Sequence, residues 1–156
     1  GYDPSRLIVA SFIDWRENVR RSAAADIFLD TPAYNAHSTG TNALWAAVPI
    51  VTLPAEKMAA RVAASLMLAA GGRHFVARNT IDYANLITAI AKSRQRLTQA
   101  RLQLASEMRK ASNPLFSTAT IVRQLERGLQ MGYEASLLQT PLKYHIVIAR
   151  QSMTKS

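Results

Sequence analysis

The chain has 156 residues, 49% of them hydrophobic, which is enough for one domain with a buried core. Its formal net charge of +9 favours an anionic partner such as a nucleotide, a nucleic acid or a membrane surface. The absence of cysteine excludes disulfides, cysteine-ligated zinc and thiol catalysis. No apolar run approaches the ~18 residues of a membrane span, and no secretory signal opens the chain. Because the sequence begins with Gly1 and not with Met, we expect a processed chain or a part of a longer protein.

Four short apolar runs are predicted to be strands of one sheet. They lack polar–apolar alternation, which is typical of parallel strands covered on both faces. The runs are 7–10, 27–29, 50–53 and 75–77. Helical patterns separate them, so we expect an α/β domain with a parallel sheet and helices on both faces.

Helical periodicity and capping residues predict the segments between and after the strands. The first helices are expected to begin at Asp14, near Ser38 and at Glu56, and the side chains expected on their core-facing sides include those of Trp45 and Met58. The C-terminal part is expected to be helical over 82–111 and over 117–138, the latter capped by Ser117. We therefore predict one lobe over 1–138 and a loosely ordered tail over 139–156.

The stretch 26–45 combines a strand, a loop and the start of a helix. Such a start leaves backbone N–H groups free and carries the positive end of the helix dipole, so it suits a phosphate or another anion. His37, Ser38 and Thr39 add side-chain donors there. An alternative remains open, in which Ser38 or Thr39 serves only to cap the helix.

Other chemistries are poorly supported. A Ser–His–Asp hydrolase is disfavoured because the adjacent His37 and Ser38 rarely face each other on one loop, and no Gly-x-Ser-x-Gly elbow is present. The three histidines are scattered without a metal-ligand spacing, and glycine-rich phosphate loops are absent. The basic stretch 92–110 admits a nucleic-acid-facing helix, but a solvated surface helix is favoured because no aromatic residues are interleaved with the charges.

The motif that carries most information runs from Asp26 to Gly40. Its elements are Asp-Ile-Phe-Leu-Asp-Thr-Pro, then Asn35, then His37-Ser-Thr-Gly, followed by Ala-Leu-Trp-Ala at 43–46 and Arg-Val-Ala-Ala-Ser at 61–65. Together with Pro-Leu-Phe at 114–116, this order resembles the nucleocytoplasmic protein O-GlcNAc transferases and their SPINDLY relatives. The resemblance covers roughly residues 1 to 135.

The resemblance implies the Rossmann-like C-terminal lobe of a GT-B glycosyltransferase, incomplete at its N-terminus, which holds a sugar nucleotide. In this family a His-Thr-Thr run at the helix start grips the diphosphate, which corresponds to His37, Ser38 and Thr39 here. The family's ribose-binding acid falls on Asn42, which retains a hydrogen-bond acceptor but has no charge, so we expect weaker or altered ribose binding.

Base-facing contacts of the family fall on the backbone of Ile13 and on Trp15, Asn18 and Arg21. Of these positions, Arg21 keeps the residue type that is usual in the family. Trp15 offers a ring that can stack on a base, although packing between helices is an equally good explanation of it. The family's Pro-Gly-Glu turn has Ala55 in place of glycine, which would be strained if that position required a positive φ.

The resemblance places the catalytic residues, and a lysine that neutralises the diphosphate, upstream of Gly1. We therefore expect that the 156 residues alone do not catalyse transfer. The implied reaction is inverting transfer of GlcNAc from UDP-GlcNAc to Ser or Thr hydroxyls of proteins in the cytoplasm or nucleus, without a metal or other cofactor. The expected partners are the nucleotide sugar and protein acceptors, not a membrane or nucleic acid. Two alternatives are a SPINDLY-like O-fucosyltransferase that uses GDP-fucose and a non-catalytic remnant that binds nucleotide, RNA or protein.

Overall fold

The computed structural model describes residues 3–110 and 113–137, and the chain divides into two compact units, Gly1–Leu115 and Phe116–Ser156. Short 3-10 turns occur at Pro4–Arg6, Met58–Ala60 and Arg73–Phe75. The helices and strands of the first unit are α1 (Trp15–Ser22), β1 (Phe28–Leu29), α2 (Ser38–Trp45), β2 (Ile50–Val51), α3 (Val62–Ala69), α4 (Thr80–Ala91) and α5 (Arg94–Met108), and α6 (Thr118–Leu137) belongs to the second.

The sheet is parallel and small. Phe28 of β1 lies opposite Ile50 of β2, and one further parallel bridge joins Thr52 to Val76. Three of the four predicted apolar runs therefore lie side by side as predicted, although each regular strand is shorter than its run. Helices α2 and α4 both contact β2, which makes β2 the centre of the first unit.

The core of the first unit surrounds β2. Full burial of a large aliphatic side chain contributes about 1.5–3 kcal/mol to stability, and helices α2, α3 and α5 each supply such a side chain. The largest fully buried apolar side chains are those of Leu44, Val48, Ile50, Val51, Met67 and Leu104.

Hydrogen bonds define several helix ends, among them the predicted start at Asp14. The Asp14 carboxylate accepts from the amide of Arg16 at 2.8 Å, and the Asn79 side chain accepts from the amide of Asp82 at 2.8 Å. Gly71, with a φ of +79°, follows the last turn of α3. The predicted helical range 82–111 contains two helices, α4 and α5, because the chain turns at Lys92 and Ser93.

The predicted first strand is wrong. Residues 7–10 form no strand, and the side chains of Leu7, Ile8 and Val9 are 77%, 90% and 96% exposed. A parallel strand needs a neighbour for its backbone hydrogen bonds, and no other strand in the described ranges lies beside this segment. An apolar run therefore indicated a strand without indicating a pairing partner for it.

The helix predicted to begin at Glu56 begins at Val62. The carbonyls that would start it are used elsewhere, because Ala59 O accepts from the amide of Asn35 at 2.8 Å and Ala60 O accepts from the amide of Ala55 at 2.8 Å. These bonds hold residues 55–61 as a loop against a second loop. As a result Met58, which was expected in the core, is 69% exposed.

The end of α2 also differs from the prediction. Leu44 and Val48 are buried as expected, but Trp45 is 57% exposed. Ala47 has a φ of 56°, a backbone conformation that costs an alanine about 1 kcal/mol or more. Ala55 has no positive φ, so the strain considered for that position is absent and occurs at Ala47 instead.

The second unit is described over a single helix. Ser117 caps α6 as predicted, and its hydroxyl accepts from the amide of Thr120 at 3.4 Å. Ile121, Leu125 and Leu129 of this helix are exposed. The predicted tail, 139–156, lies outside the described residues.

Candidate nucleotide-binding site

The loop that joins β1 to α2 is fixed by a buried carboxylate. Asp30 is 3% exposed and follows β1 directly. Its Oδ1 accepts from the amide of Ala36 at 2.7 Å, and its Oδ2 accepts from the hydroxyl of Thr52 at 2.6 Å. The hydroxyl of Tyr83 donates to the backbone carbonyl of Asp30 at 2.7 Å. Residues from β1, from the end of β2 and from α4 thus converge on one point, which sets where α2 begins.

A second anchor lies within the loop. Asn35 is 1% exposed, and its side-chain amide donates to the carbonyl of Thr31 at 2.9 Å. The hydroxyl of Thr31 in turn donates to the carbonyl of Tyr34. The Oδ1 atom of Asn35 is buried and has no partner in the part of the chain that the structure describes. The loop is therefore braced by hydrogen bonds between its own residues.

Helix α2 begins at Ser38, with His37 as its N-cap residue. The His37 side chain makes no capping hydrogen bond, so the amides of Ser38 and Thr39 have no acceptor within the described ranges. The alternative in which Ser38 or Thr39 caps the helix is therefore wrong. Amides of this kind carry the positive potential of the helix start.

The His37 ring is held from two sides. It stacks on the ring of Tyr34, with centroids 4.9 Å apart and an interplanar angle of 11°. Its Nε2 lies 3.4 Å from the carbonyl of Ala59, in the loop that precedes α3. The orientation of the imidazole is therefore set by the two loops together, which explains why the late start of α3 matters for this site.

A cleft of about 370 Å³ opens at this point. The residues that line it come from β1, from the loop and from the start of α2, and they include Asp30, Tyr34, His37, Ser38 and Thr39. The three residues that the sequence predicts for a diphosphate therefore share one cleft at the carboxyl end of β1. In open parallel sheets this is the edge where ligands bind.

Two further predicted residues meet one turn along α2. The indole Nε1 of Trp15 donates to the side-chain carbonyl of Asn42 at 3.2 Å. Asn42 follows Ser38 by four residues and so lies on the same face of the helix. The Trp15 side chain remains 62% exposed. Its polar edge is satisfied, and a broad aromatic surface is left open beside the predicted anion site.

The remaining predicted residues form a separate cluster on α1 and the segment before it. The guanidinium of Arg21 donates to the carbonyl of Ser11 at 2.8 Å and to the side chain of Asn18 at 2.9 Å. Ile13 is half-buried in the same segment. Arg21 therefore holds the backbone around Ile13 against α1. These three residues are not among those that line the cleft with His37.

One arginine of the basic stretch 92–110 has a structural role. The guanidinium of Arg101 donates to the carbonyl of Ala23 at 2.8 Å and to that of Ala25. It therefore fixes the end of α1 against α5. Arg101 is thus paired within the chain, so the presence of its positive charge on α5 is explained without a nucleic-acid partner.

Within residues 3–110 and 113–137, no three His, Asp or Glu side chains are placed to hold a metal ion, and no helix is long and apolar enough to cross a membrane. Sequence reasoning missed the roles of Thr52 and Tyr83 in anchoring Asp30. The available signal was that Asp30 and Thr52 follow neighbouring predicted strands, whose carboxyl ends meet at one edge of a parallel sheet. Nothing in the sequence indicated the contact of His37 with Ala59.

These elements form an α/β domain with a ligand-sized cleft at the carboxyl edge of a parallel sheet. A solved structure of a mutant of the Thermobaculum terrenum O-GlcNAc transferase superposes on it with a TM-score of 0.69 at 26% sequence identity. The match covers 82% of this chain and 24% of that one. The predicted fold, a Rossmann-like part of a GT-B glycosyltransferase, is confirmed by this match.

Related sequences agree with the structural match. The chain is 42% identical over 132 residues to the probable UDP-N-acetylglucosamine–peptide N-acetylglucosaminyltransferase SEC of Arabidopsis thaliana, which covers 82% of this chain and 13% of that protein. It is 34% identical to the enzyme of the same type from Caenorhabditis elegans, covering 81% and 11%, and 31% identical to a probable SPINDLY enzyme of Petunia hybrida, covering 81% and 13%.

The model of glycosyl transferase family 41 matches residues 1–125. The chain therefore belongs to glycosyl transferase family 41, which confirms the resemblance read from residues 26–40. It spans between a tenth and a quarter of the length of these relatives.

Proposed function

We propose that this chain is the sugar-nucleotide-binding part of a protein O-GlcNAc transferase. The donor is UDP-GlcNAc, and GlcNAc passes to Ser or Thr hydroxyls of proteins with inversion at the anomeric carbon. The observation that carries the proposal is the cleft in which His37, Ser38 and Thr39 surround the uncapped start of α2. Membership of family 41 and the names of the relatives support the reaction type.

The diphosphate is proposed to lie at the start of α2. The unpaired amides of Ser38 and Thr39 and their exposed hydroxyls offer donors to phosphate oxygens. The His37 imidazole is already oriented by Tyr34 and Ala59, so little ordering entropy is lost when it meets an anion. Negative charge develops on the leaving diphosphate during transfer, and fixed donors of this kind stabilise such charge.

The nucleoside is proposed to lie along α2 towards α1. The carbonyl of Asn42 is occupied by the Trp15 indole, which leaves the Asn42 amide nitrogen free to donate to a ribose oxygen. The exposed face of Trp15 stacks on the base. Arg21 and Asn18 position the backbone of Ile13 for contacts with the base edge. An uncharged Asn42 predicts weaker ribose binding than a carboxylate would provide.

No metal or other cofactor is part of the proposal, since the start of α2 and the lysine that the family resemblance places upstream of Gly1 would supply the positive potential that the diphosphate needs. The protein acceptors would be bound by other parts of a longer protein, because the chain spans 13% of the SEC relative. The cytoplasm or the nucleus is the proposed compartment.

Isothermal titration calorimetry tests the proposal with the 156-residue chain. We expect binding of UDP, a weakening of about tenfold or more on His37→Ala, and little change on the control His74→Ala. Preference for GDP would contradict the UDP-GlcNAc donor. Binding of a short RNA with a steep salt dependence, without UDP binding, would contradict the nucleotide site itself.

A further inference from the structure

A second concave surface of the first unit lies between α3 and the beginning of α4. Two cavities of about 600 Å³ and about 710 Å³ share Pro54, Leu68 and Val76 in their walls, so they adjoin, and the surface that both line is called the groove. None of the residues that line the groove also lines the cleft with His37. The groove is therefore a site separate from the candidate nucleotide-binding site.

The groove exposes an unusually apolar helix. Helix α3 carries no charged residue, and helices that are apolar all round are normally covered on every side. The core covers Ala63 and Met67, but Leu68 is 49% exposed on the groove side. Met58, in the same groove wall, is 69% exposed. Exposed apolar side chains that line a concave surface suit the apolar face of a partner.

The rim of the groove is positively charged. The guanidinium groups of Arg61 and Arg73 have no hydrogen-bond or ion-pair partner within residues 3–110 and 113–137. Asp82 is the one carboxylate among the lining residues, and Arg78 is 3.1 Å from it. The backbone amide and the guanidinium of Arg78 hold the pKa of Asp82 below its usual value. Asp82 is thus already paired, and two unpaired cations remain beside the apolar surface.

The backbone at this edge of the sheet is closed to a further strand. The amide of Val76 donates to Arg73 O at 3.1 Å, and the amide of Ala77 donates to Thr52 O at 2.8 Å. The amide of Arg78 donates to Asp82 at 3.0 Å. Three consecutive donors are therefore satisfied, so a partner cannot be held by strand addition and must be held through side chains.

We propose that this groove binds an acidic amphipathic helix of a partner protein. The apolar face of that helix packs on Leu68 and Val76, and its flanking carboxylates pair with Arg61 and Arg73. A second copy of this chain is a poor occupant, because each copy carries a formal net charge of +9 and the rim of the groove is itself cationic.

Fluorescence polarisation with three labelled peptides of about 16 residues tests the proposal. The first has leucines at i, i+3, i+4 and i+7 flanked by glutamates, the second has lysines in place of the glutamates, and the third is a scrambled form of the first. We expect saturable binding of the first peptide only. Equal binding of the scrambled peptide, or no binding of the first, would overturn the proposal.

Two double variants with the same change of charge localise the binding. Arg61→Glu with Arg73→Glu should weaken the acidic peptide by about tenfold or more. Arg94→Glu with Arg96→Glu, on the exposed start of α5, should change its affinity by less than about twofold. Equal losses in both variants would show attraction by net charge alone and would overturn the proposal. So would dimerisation of the free chain that Leu68→Glu abolishes, because the occupant would then be a second copy.

Discussion

Residues 7–13 and the loop 30–37 differ in burial in the opposite sense to their hydrophobicity. The first segment is apolar, yet Val9 is 96% exposed and Phe12 is fully exposed. The second is more polar, yet Asn35 and Asp30 are almost fully buried. The difference lies in partners for polar groups, because Asp30 bonds to two other segments, whereas the segment 7–13 meets no strand. Near the candidate site, burial therefore follows the buried hydrogen-bond partners of a segment and not its hydrophobicity.

Among changes in the two compared regions, the largest effect should come from removing the anchor of the loop. Asp30→Ala leaves the amide of Ala36 and the hydroxyl of Thr52 without their acceptor, and we expect a loss of about 3 kcal/mol in the free energy of unfolding. Urea unfolding followed by circular dichroism measures it. The control Asp26→Ala, on an exposed residue, should change it by less than about 0.5 kcal/mol. Equal effects of both variants would mean that Asp30 does not anchor the loop.

Gly40→Ala tests whether the loop can move away from an added methyl group at the start of α2. A Cβ at Gly40 would lie 3.2 Å from the Cβ of Ala36 and 3.1 Å from Leu66 Cδ1. If the loop is fixed, overpacking outweighs the helix propensity of alanine, and stability falls by about 1–2 kcal/mol. The matched control Gly128→Ala within α6 should raise stability by about 1 kcal/mol. A stabilising Gly40→Ala would show instead that the loop moves aside.

Ionisation of the Tyr83 hydroxyl should make the stability of the chain depend on pH. Burial, with a smaller effect of the Asp30 charge, raises the pKa of Tyr83 above its usual value. Its stabilising contribution is therefore complete below the tyrosine pKa of the unfolded chain and is lost as the pH rises through the higher pKa of the folded chain. At neutral pH, Tyr83→Phe should cost about 1 kcal/mol through the lost bond to Asp30 O.

Unfolding at about pH 9 and about pH 11 separates this effect from general alkaline destabilisation. The unmodified chain should lose more stability across that interval than Tyr83→Phe does. Tyr133→Phe, on an exposed tyrosine of α6, should behave like the unmodified chain. An identical pH response of Tyr83→Phe and the unmodified chain would mean that Tyr83 does not contribute to the pH dependence of stability.

The smallest effect is expected in the segment 7–13. Phe12→Ser changes a fully exposed side chain and should alter the free energy of unfolding by less than about 0.5 kcal/mol. Phe75→Ser, at a side chain that is 3% exposed, should cost about 3 kcal/mol or more. A large effect of Phe12→Ser would mean that the segment is packed in solution and that the contrast with the loop is wrong.

Local signals predicted much of the fold. Asp14, Asn79 and Ser117 are side-chain caps that act within two or three residues, so each could be recognised from its neighbours alone. The start of α3 could not be predicted, because the carbonyl of Ala59 accepts from the amide of Asn35 in another loop. Tertiary hydrogen bonds of this kind override helix propensity.

In the candidate site, too, features set by neighbouring residues could be predicted, whereas contacts between distant residues could not. His37, Ser38 and Thr39 are neighbours in sequence, so their common cleft could be predicted from the strand, loop and helix order. The bond of Trp15 to Asn42 joins residues 27 positions apart and required the packing of α1 on α2. It makes the uncharged Asn42 part of an aromatic platform, which its sequence position alone did not indicate.

The central claim is that a nucleoside diphosphate binds across the start of α2 and Trp15. Proton–nitrogen correlation spectra recorded during a UDP titration test it directly, because the chain has two tryptophans, Trp15 and Trp45, whose indole N–H groups report on different positions. We predict that UDP shifts the amides of Ser38 and Thr39 and the indole of Trp15 while the indole of Trp45 stays in place. Shifts confined to other residues, or equal shifts of both indoles without change at Ser38 and Thr39, would contradict the claim.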